Sequence, residues 1–277
     1  MSEKSDLSVF FSQSVGSSGT LGALLGPDSL LVRTDTGEPP RSAIGLFRLA
    51  TPPQAYTELL EALKQLQNSG HQSAGQDPPG TPMLHFGLTE SGATTAAWSS
   101  PAGSLPAEIQ PAVKLIRQLI EQTLDHPELA VQARAAWQGD PFAAGQDLGA
   151  ALVVRNIGGE PVVIVNPAAG GAVSGVELTL VRSRTPQQTG DVTFHAFGPQ
   201  EVRQLAADGV TLVDTPGPTL ELGVGAEVAF SLRKTIRLTP GDYRADLSLV
   251  ITPAGDSEGT AIAGTTTMTL APVTISR

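Results

Sequence analysis

Apolar residues recur along this chain in two rhythms. From Ser29 to Leu124, short alternating runs give way twice to a helical period, and beyond residue 148 alternation continues alone. Ser29–Arg33 and Ala43–Leu49 read as strands around a turn at Thr34-Asp35-Thr36-Gly37. A helix over about 52–67 follows, because Tyr56, Leu59, Leu60, Leu63 and Leu66 fall on one face. Thr51-Pro52-Pro53-Gln54 supplies a capping box with Pro in the first turn. The same order returns in Met83–Leu88, the turn Thr89-Glu90-Ser91-Gly92, Ala93–Ser99, and a Pro106-led helix over 106–124 lined by Ile109, Val113, Ile116 and Ile120. The two units stand about 55 residues apart, Gly37 matching Gly92 and Leu59 matching Val113. Neither a lone hairpin nor a lone helix of this length buries its apolar face. The pattern therefore predicts an α+β N-terminal domain over 1–125, two hairpin–helix units sharing one sheet with both helices on one face. Leu7–Phe11 adds a first strand, Ser14–Thr20 a flexible turn, and Gln67–Pro82 an exposed loop.

Glu128, Leu129, Ala130, Val131, Ala133, Ala135 and Ala136 suggest a connecting helix within a linker over 126–147. Strands then recur at short intervals to the C-terminus, with clean alternation in Val176–Arg182 and Tyr243–Leu249 and a helical turn expected over Pro199–Ala207. One wet face and one buried face per strand predicts an all-β sandwich over 148–277.

The chain has 277 residues, 40% hydrophobic and 16% charged, with 30 Gly and 22 Pro. That is enough for two cores and favours strands and turns over long helices. A formal net charge of −10 argues against nucleic acid, since no basic stripe exists to displace counterions. Arg233-Lys234-Thr235-Ile236-Arg237 alternates as a strand would. No cysteine is present, which removes disulfides and thiolate chemistry. The polar start Met1-Ser2-Glu3-Lys4-Ser5-Asp6 has no apolar leader core, and no apolar run has the length of a membrane span. A soluble, cytoplasmic protein is expected.

Candidate chemistry is sparse. His71, His85, His126 and His195 have no metal-type spacing to a second His or carboxylate. Ser17 and Ser18 sit among glycines without the Gly-Lys-Ser/Thr ending of a phosphate loop or the Gly-x-Ser-x-Gly of a nucleophile elbow. Asp256-Ser257-Glu258 and Gly190-Asp191 offer too few oxygens for calcium. Trp98 is expected to close the first core and Trp137 to pack near the domain junction. No catalytic residue, cofactor site or metal site is assigned. An enzyme would require distant residues such as His195, Asp191 and Asp246 to converge. The segment with most to offer a partner is glycine-rich: Ser17, Ser18, Gly19, Thr20, Leu21, Leu24 and Leu25. Its glycines give backbone freedom, and its leucines serve either as anchors for a partner or as core.

Two resemblances accompany this reading. Asn156-Ile157-Gly158-Gly159-Glu160-Pro161-Val162 resembles the A–B strand corner of bacterial immunoglobulin-like domains, and Leu238-Thr239-Pro240-Gly241-Asp242-Tyr243-Arg244-Ala245 the turn into their penultimate strands. There the tyrosine hydroxyl can bond back to nearby backbone. This resemblance covers 148–277. Over 8–124, the glycine-rich segment, the Thr89-Glu90-Ser91-Gly92 turn and the helix led by Leu105-Pro106 are similar in outline to emfourin-type inhibitors of thermolysin-like proteases. The expectation is a non-enzymatic protein-binding or assembly protein. The alternative implied by the second resemblance is a metalloprotease inhibitor. The partner is another protein, a protease among the candidates, and the oligomeric state stays open.

Overall fold

The computed structural model describes residues 7–15, 19–68, 82–90, 93–103, 105, 107, 109–139, 142–143, 147–169, 174–183, 190–254 and 262–276. Two compact units share the chain: Met1–Asp35 with Gly45–Glu128, and Thr36–Ile44 with Leu129–Arg277.

The chain opens with β1 (Leu7–Val15), β2 (Gly19–Leu25) and β3 (Ser29–Thr34); β4 (Thr36–Gly37) falls in the second unit. β5 (Ala43–Ala50), α1 (Pro53–Asn68), β6 (Met83–Glu90), β7 (Ala93–Pro101) and α2 (Gln110–Thr123) follow. Strands of the first unit run antiparallel in the order β5-β3-β2-β1-β6-β7. One face of this sheet presents Val9, Phe11, Leu25, Val32, Phe47 and Phe86, all buried. Leu59, Leu63 and Leu66 of α1 and Val113, Ile116 and Ile120 of α2 are buried against it. Trp98 is buried and stacks on Phe86 with ring centroids 6.0 Å apart, so it does close this core.

The expected fold class, a distinct α+β N-terminal domain followed by an all-β sandwich, is overturned. Eighteen strands stand against two helices among the described residues, and the chain is mostly β. The helical period marks only a cover on a sheet, while the turn read over Ser14–Thr20 falls at its two ends within strands, and the segment read as a connecting helix is a strand. Gly19–Leu25 is β2. Pro127–Trp137, placed in a helical linker, is β8, an eleven-residue strand. Its run of alanine and valine satisfies helix and strand alike, and pairing with a partner strand from Ala150↔Trp137 to Asn156↔Val131 decides the matter. The capping box also fails to form: Thr51 Oγ1 is buried without a hydrogen bond, and Gln54 Nε2 donates to Glu58. At α2, Pro111 rather than Pro106 occupies the first turn.

The second unit adds β9 (Phe142–Ala143), β10 (Asp147–Asn156), β11 (Val162–Val165), β12 (Val176–Arg182) and β13 (Val192–Ala196). After them come β14 (Val202–Gln204), where a helical turn was expected, β15 (Thr219–Leu222), β16 (Glu227–Thr235), β17 (Gly241–Ile251) and β18 (Gly264–Ser276). It is a β-sandwich. One sheet runs β14-β16-β10-β8 and the other β13-β12-β17-β18, with β11 and β15 as a small separate pair. Leu152, Val154, Phe230 and Leu232 of the first sheet, and Leu178, Leu180, Leu247 and Leu249 of the second, supply its core. Tyr243 Oη donates to the Thr239 carbonyl at 2.8 Å, a tyrosine corner of the immunoglobulin-like kind.

The corner between β10 and β11 is organised by Asn156. Asn156 is fully buried, and its Nδ2 donates to the carbonyls of Glu160 and Leu222 at 2.7 and 2.9 Å while its Oδ1 accepts from the Gly158 amide at 2.9 Å. Asn156→Ala strips three partners at once. With roughly 1–3 kcal/mol lost for each buried polar group left unpaired, we expect a loss of about 3 kcal/mol or more, read as a lowered midpoint in urea unfolding. A midpoint within error of the parent would contradict this role.

Candidate functional site

The sequence-predicted partner segment lies mostly in the middle of a sheet. Ser17 and Ser18 fall outside the described residues. Gly19, Thr20, Leu21, Leu24 and Leu25 are in β2, paired with β1 from Val15↔Gly19 to Val9↔Leu25 and with β3 from Leu21↔Thr34 to Leu25↔Leu30. Thr20 is tied further, its amide donating to Asp35 Oδ1 at 2.6 Å. A strand paired on both sides has no edge for an incoming strand, so the expected free backbone is not there. Gly19, Leu21 and Leu25 share the helix-covered face. Thr20 and Leu24 share the other, where Leu24 lines up with Phe10 and Leu31 across the sheet. The glycines hid the alternation that would have marked this stretch as a strand.

Of the residues whose convergence an enzyme would require, His195 and Asp246 do not come together. His195 lies opposite Leu178, whereas Asp246 lies opposite Thr179, so they point to opposite faces of one sheet. Asp246 accepts from Thr269 Oγ1 at 2.8 Å, and His195 Nε2 sits 3.1 Å from Thr193 Oγ1. Among the described residues no three His, Asp or Glu gather as a metal cluster.

The sandwich offers a different surface, the edge strand β13. Its neighbour is β12, and among the described residues nothing pairs with its outer side. The far edge of that sheet is closed instead, since β4 and β9 both pair in parallel with β18. Arg182 N donates to Asp191 O at 3.0 Å and Phe197 N to Val176 O at 2.8 Å. By the alternation of an antiparallel ladder, the N–H and C=O groups of Val192, Phe194 and Ala196 therefore point away from β12. Their side chains are exposed as well, Val192 by 45% and Phe194 by 65%. Alternation along β13 is thus inverted: the apolar residues are wet, and Thr193 and His195 turn inward. Period two signalled a strand here but not which face is buried. The signal that could have exposed it is a histidine and a threonine on the side where apolar residues belong.

Those inward residues meet a polar rim between the two sheets. Lys234 Nζ pairs with Glu201 Oε2 at 2.5 Å and lies 5.7 Å from the centre of the Phe197 ring, and the Gly198 amide donates to Glu201 at 2.7 Å. Burial, with the Lys234 charge adding to it, pushes the His195 imidazole below its ordinary value. Burial works against the Glu201 carboxylate, but the Gly198 amide and Lys234 outweigh it and hold its pKa down.

No family model matches the chain, and no curated protein does. Solved structures are similar over about half of it. The ASH/PapD-like domain of human CEP192 is 14% identical, with 52% of this chain and 84% of that chain covered and a TM-score of 0.27. The Salmonella SafD adhesin is 14% identical, covering 53% and 99%, with a TM-score of 0.27. The CARDB domain of the PF1109 protein from Pyrococcus furiosus is 12% identical, covering 51% and 89%, with a TM-score of 0.21. The emfourin-type outline is not shown by these comparisons. No helix among the described residues is long and apolar enough to cross a membrane.

The rim carries a pH signature. His195 titrates lower in the folded chain than unfolded, so its contribution to stability is complete above the ordinary value of 6.5 and is lost as pH falls through the folded value. Glu201, also lowered, contributes above 4.5 and loses that contribution only at lower pH. Between pH 7 and 5, thermal unfolding of His195→Gln should fall less steeply with acidification than that of the parent. Identical slopes would remove His195 from the account.

Proposed function

We propose that the protein is a non-enzymatic protein-binding module that receives an extended segment of a partner chain along β13. The observation that carries this reading is the outer side of β13, unpaired among the described residues, where outward N–H and C=O groups and the exposed Val192 and Phe194 come together. Strand addition uses such an edge, main-chain hydrogen bonds giving affinity and alternate side chains giving selectivity. Folded proteins usually blunt an open edge with Pro, Lys, a bulge or a covering segment. Here β18 is covered by two short strands, while Val192-Thr193-Phe194-His195-Ala196 contains no blunting residue and its register on β12 is regular. The partner chemistry that fits is an extended segment with apolar residues at alternate positions, set beside Val192 and Phe194. The opposed faces of His195 and Asp246 support the non-enzymatic part of the reading.

The test uses Phe194→Pro. Proline removes an N–H that points away from β12, so the native ladder stays whole while an incoming strand loses a donor. A photo-crosslinking amino acid at Val192 should couple to partner peptides in cell extract, and the same probe at Thr269, on the wet face of β18, should not. Adding Phe194→Pro should abolish the coupling with the melting temperature held. Equal coupling from both positions, or coupling indifferent to the proline, would overturn the proposal.

A further inference from the structure

A second surface lies on the other sheet of the sandwich, at its β14 edge. A cleft of about 670 Å³ is walled there by the hairpin that follows β14. Asp208 pins the turn, accepting from the amides of Val210 and Thr211 at 2.9 and 2.8 Å and from Thr211 Oγ1 at 2.5 Å. The bridge Leu205↔Leu212 closes the hairpin, and Ala206 N donates to Thr211 O at 2.7 Å. So held, the hairpin presents Val210, 80% exposed, and Leu212, 42% exposed, at the rim.

The cleft floor is the outer face of three strands. Arg203 lies opposite Ser231, Ser231 opposite Ala151, and Arg233 opposite Gly149, so all five residues share one face. Ala151 and Gly149 leave the floor low. The two arginines stand one strand apart and two residues out of register, about 7 Å along the strands. Gln138 leans in from the far side and accepts from Ser231 Oγ at 3.2 Å. Two exposed guanidiniums thus face one space. Neither has an acidic partner among the described residues; of the carboxylates close by, Glu201 is committed to Lys234 and the Gly198 amide, and Asp208 to the amides and hydroxyl of its own turn.

We propose that this cleft binds an acidic peptide segment, its carboxylates taken by Arg203 and Arg233 and an aliphatic side chain seated against Val210 and Leu212. In a chain of net charge −10, two adjacent unpaired arginines are a local reversal of sign. Such a reversal steers and selects an anionic partner. Guanidinium forks match carboxylates with two parallel hydrogen bonds. The exposed aliphatic rim is what selects a peptide over a free anion, which would leave Val210 and Leu212 idle. This site is separate from β13 and stands or falls independently of it.

The experiment is a fluorescence-polarisation titration of the full chain with a labelled library of hexapeptides alternating Glu or Asp with Leu or Val. A matched library carrying Gln and Asn, and inorganic phosphate as competitor, complete the design. Acidic peptides should bind and amide peptides should not. Arg203→Glu and Arg233→Glu should each weaken binding by about tenfold or more at an unchanged melting temperature, and Val210→Ser should weaken it with both charges in place. Arg203→Lys should restore only part of the affinity, since an ammonium cannot make the paired contact. Equal binding of both libraries, no binding at millimolar peptide, affinity unaffected by the charge reversals, or phosphate competing at concentrations equal to peptide would each overturn the proposal, the last by reducing the site to a simple anion site.

Discussion

The buried carboxamide of Asn156 is the contact on which the second unit's irregular parts depend. Apolar burial brings two sheets together without fixing the loops at their ends. A fully buried amide with every polar atom paired does fix them, because any other arrangement leaves donors or acceptors dry. Asn166, nearly as buried, repeats the device: its Nδ2 donates to Gln204 Oε1 at 2.8 Å and to the Gly217 carbonyl at 2.9 Å, and its Oδ1 accepts from the Ala168 amide at 3.0 Å. Through Gln204 this second asparagine holds β14, and β14 carries Arg203. The cleft geometry therefore traces back to a side chain outside it.

Edges are the complementary constraint. The sheet that ends in β18 is closed there by β4 and β9, segments of two residues each drawn from distant parts of the sequence. Ser42 strengthens the closure, its Oγ donating to the Thr267 carbonyl at 2.6 Å while its own carbonyl accepts from the buried Thr266 hydroxyl at 2.7 Å. Covering one edge so thoroughly and leaving β13 with apolar side chains in water is an asymmetry that packing alone does not require. A strand edge with exposed Phe and Val carries an aggregation risk, and this asymmetry is what supports the proposal of strand addition at β13.

Much of this was legible in the sequence, and the failures have physical causes. Strands with alternating residues, such as Val176–Arg182 and Tyr243–Ile251, were readable because one face is wet and one dry. At the Asn156 corner the bonds to Gly158 and Glu160 are local, whereas the bond to Leu222 comes from a distant strand and was not legible. The Tyr243 turn was readable because it is local, its hydrogen bond reaching back only to Thr239. Gly19–Leu25 was not, since glycine removes the side chains whose alternation is the signal. Pro127–Trp137 was not, since alanine and valine fit either period and a strand 13 or more residues away decides. Nor could periodicity say that Val192 and Phe194 face water. Register on β12 decides that, and register is a property of the pair. The cleft is harder still: Arg203, Arg233, Gln138 and Val210 come from four separate stretches, each ordinary by itself.

The cleft and the polar rim meet in β16, and its alternation explains how they coexist. Arg233 points out of the sandwich into the cleft, while the next residue, Lys234, points in toward Phe197, Glu201 and His195. The Arg233 amide also donates to the Glu201 carbonyl at 2.9 Å, so the backbone that places one charge places the acid that neutralises the other. A basic run that alternates along a strand is split by the pleat into two different environments. The inward charge is paired, and it adds to burial in lowering the His195 pKa. The outward charge has no acidic partner among the described residues. Turned outward, Glu201 would leave the half-buried Lys234 without this counter-charge, a costly arrangement. The polar rim thus leaves the cleft cationic, and the free guanidinium of Arg233 is a consequence of how the interior is satisfied.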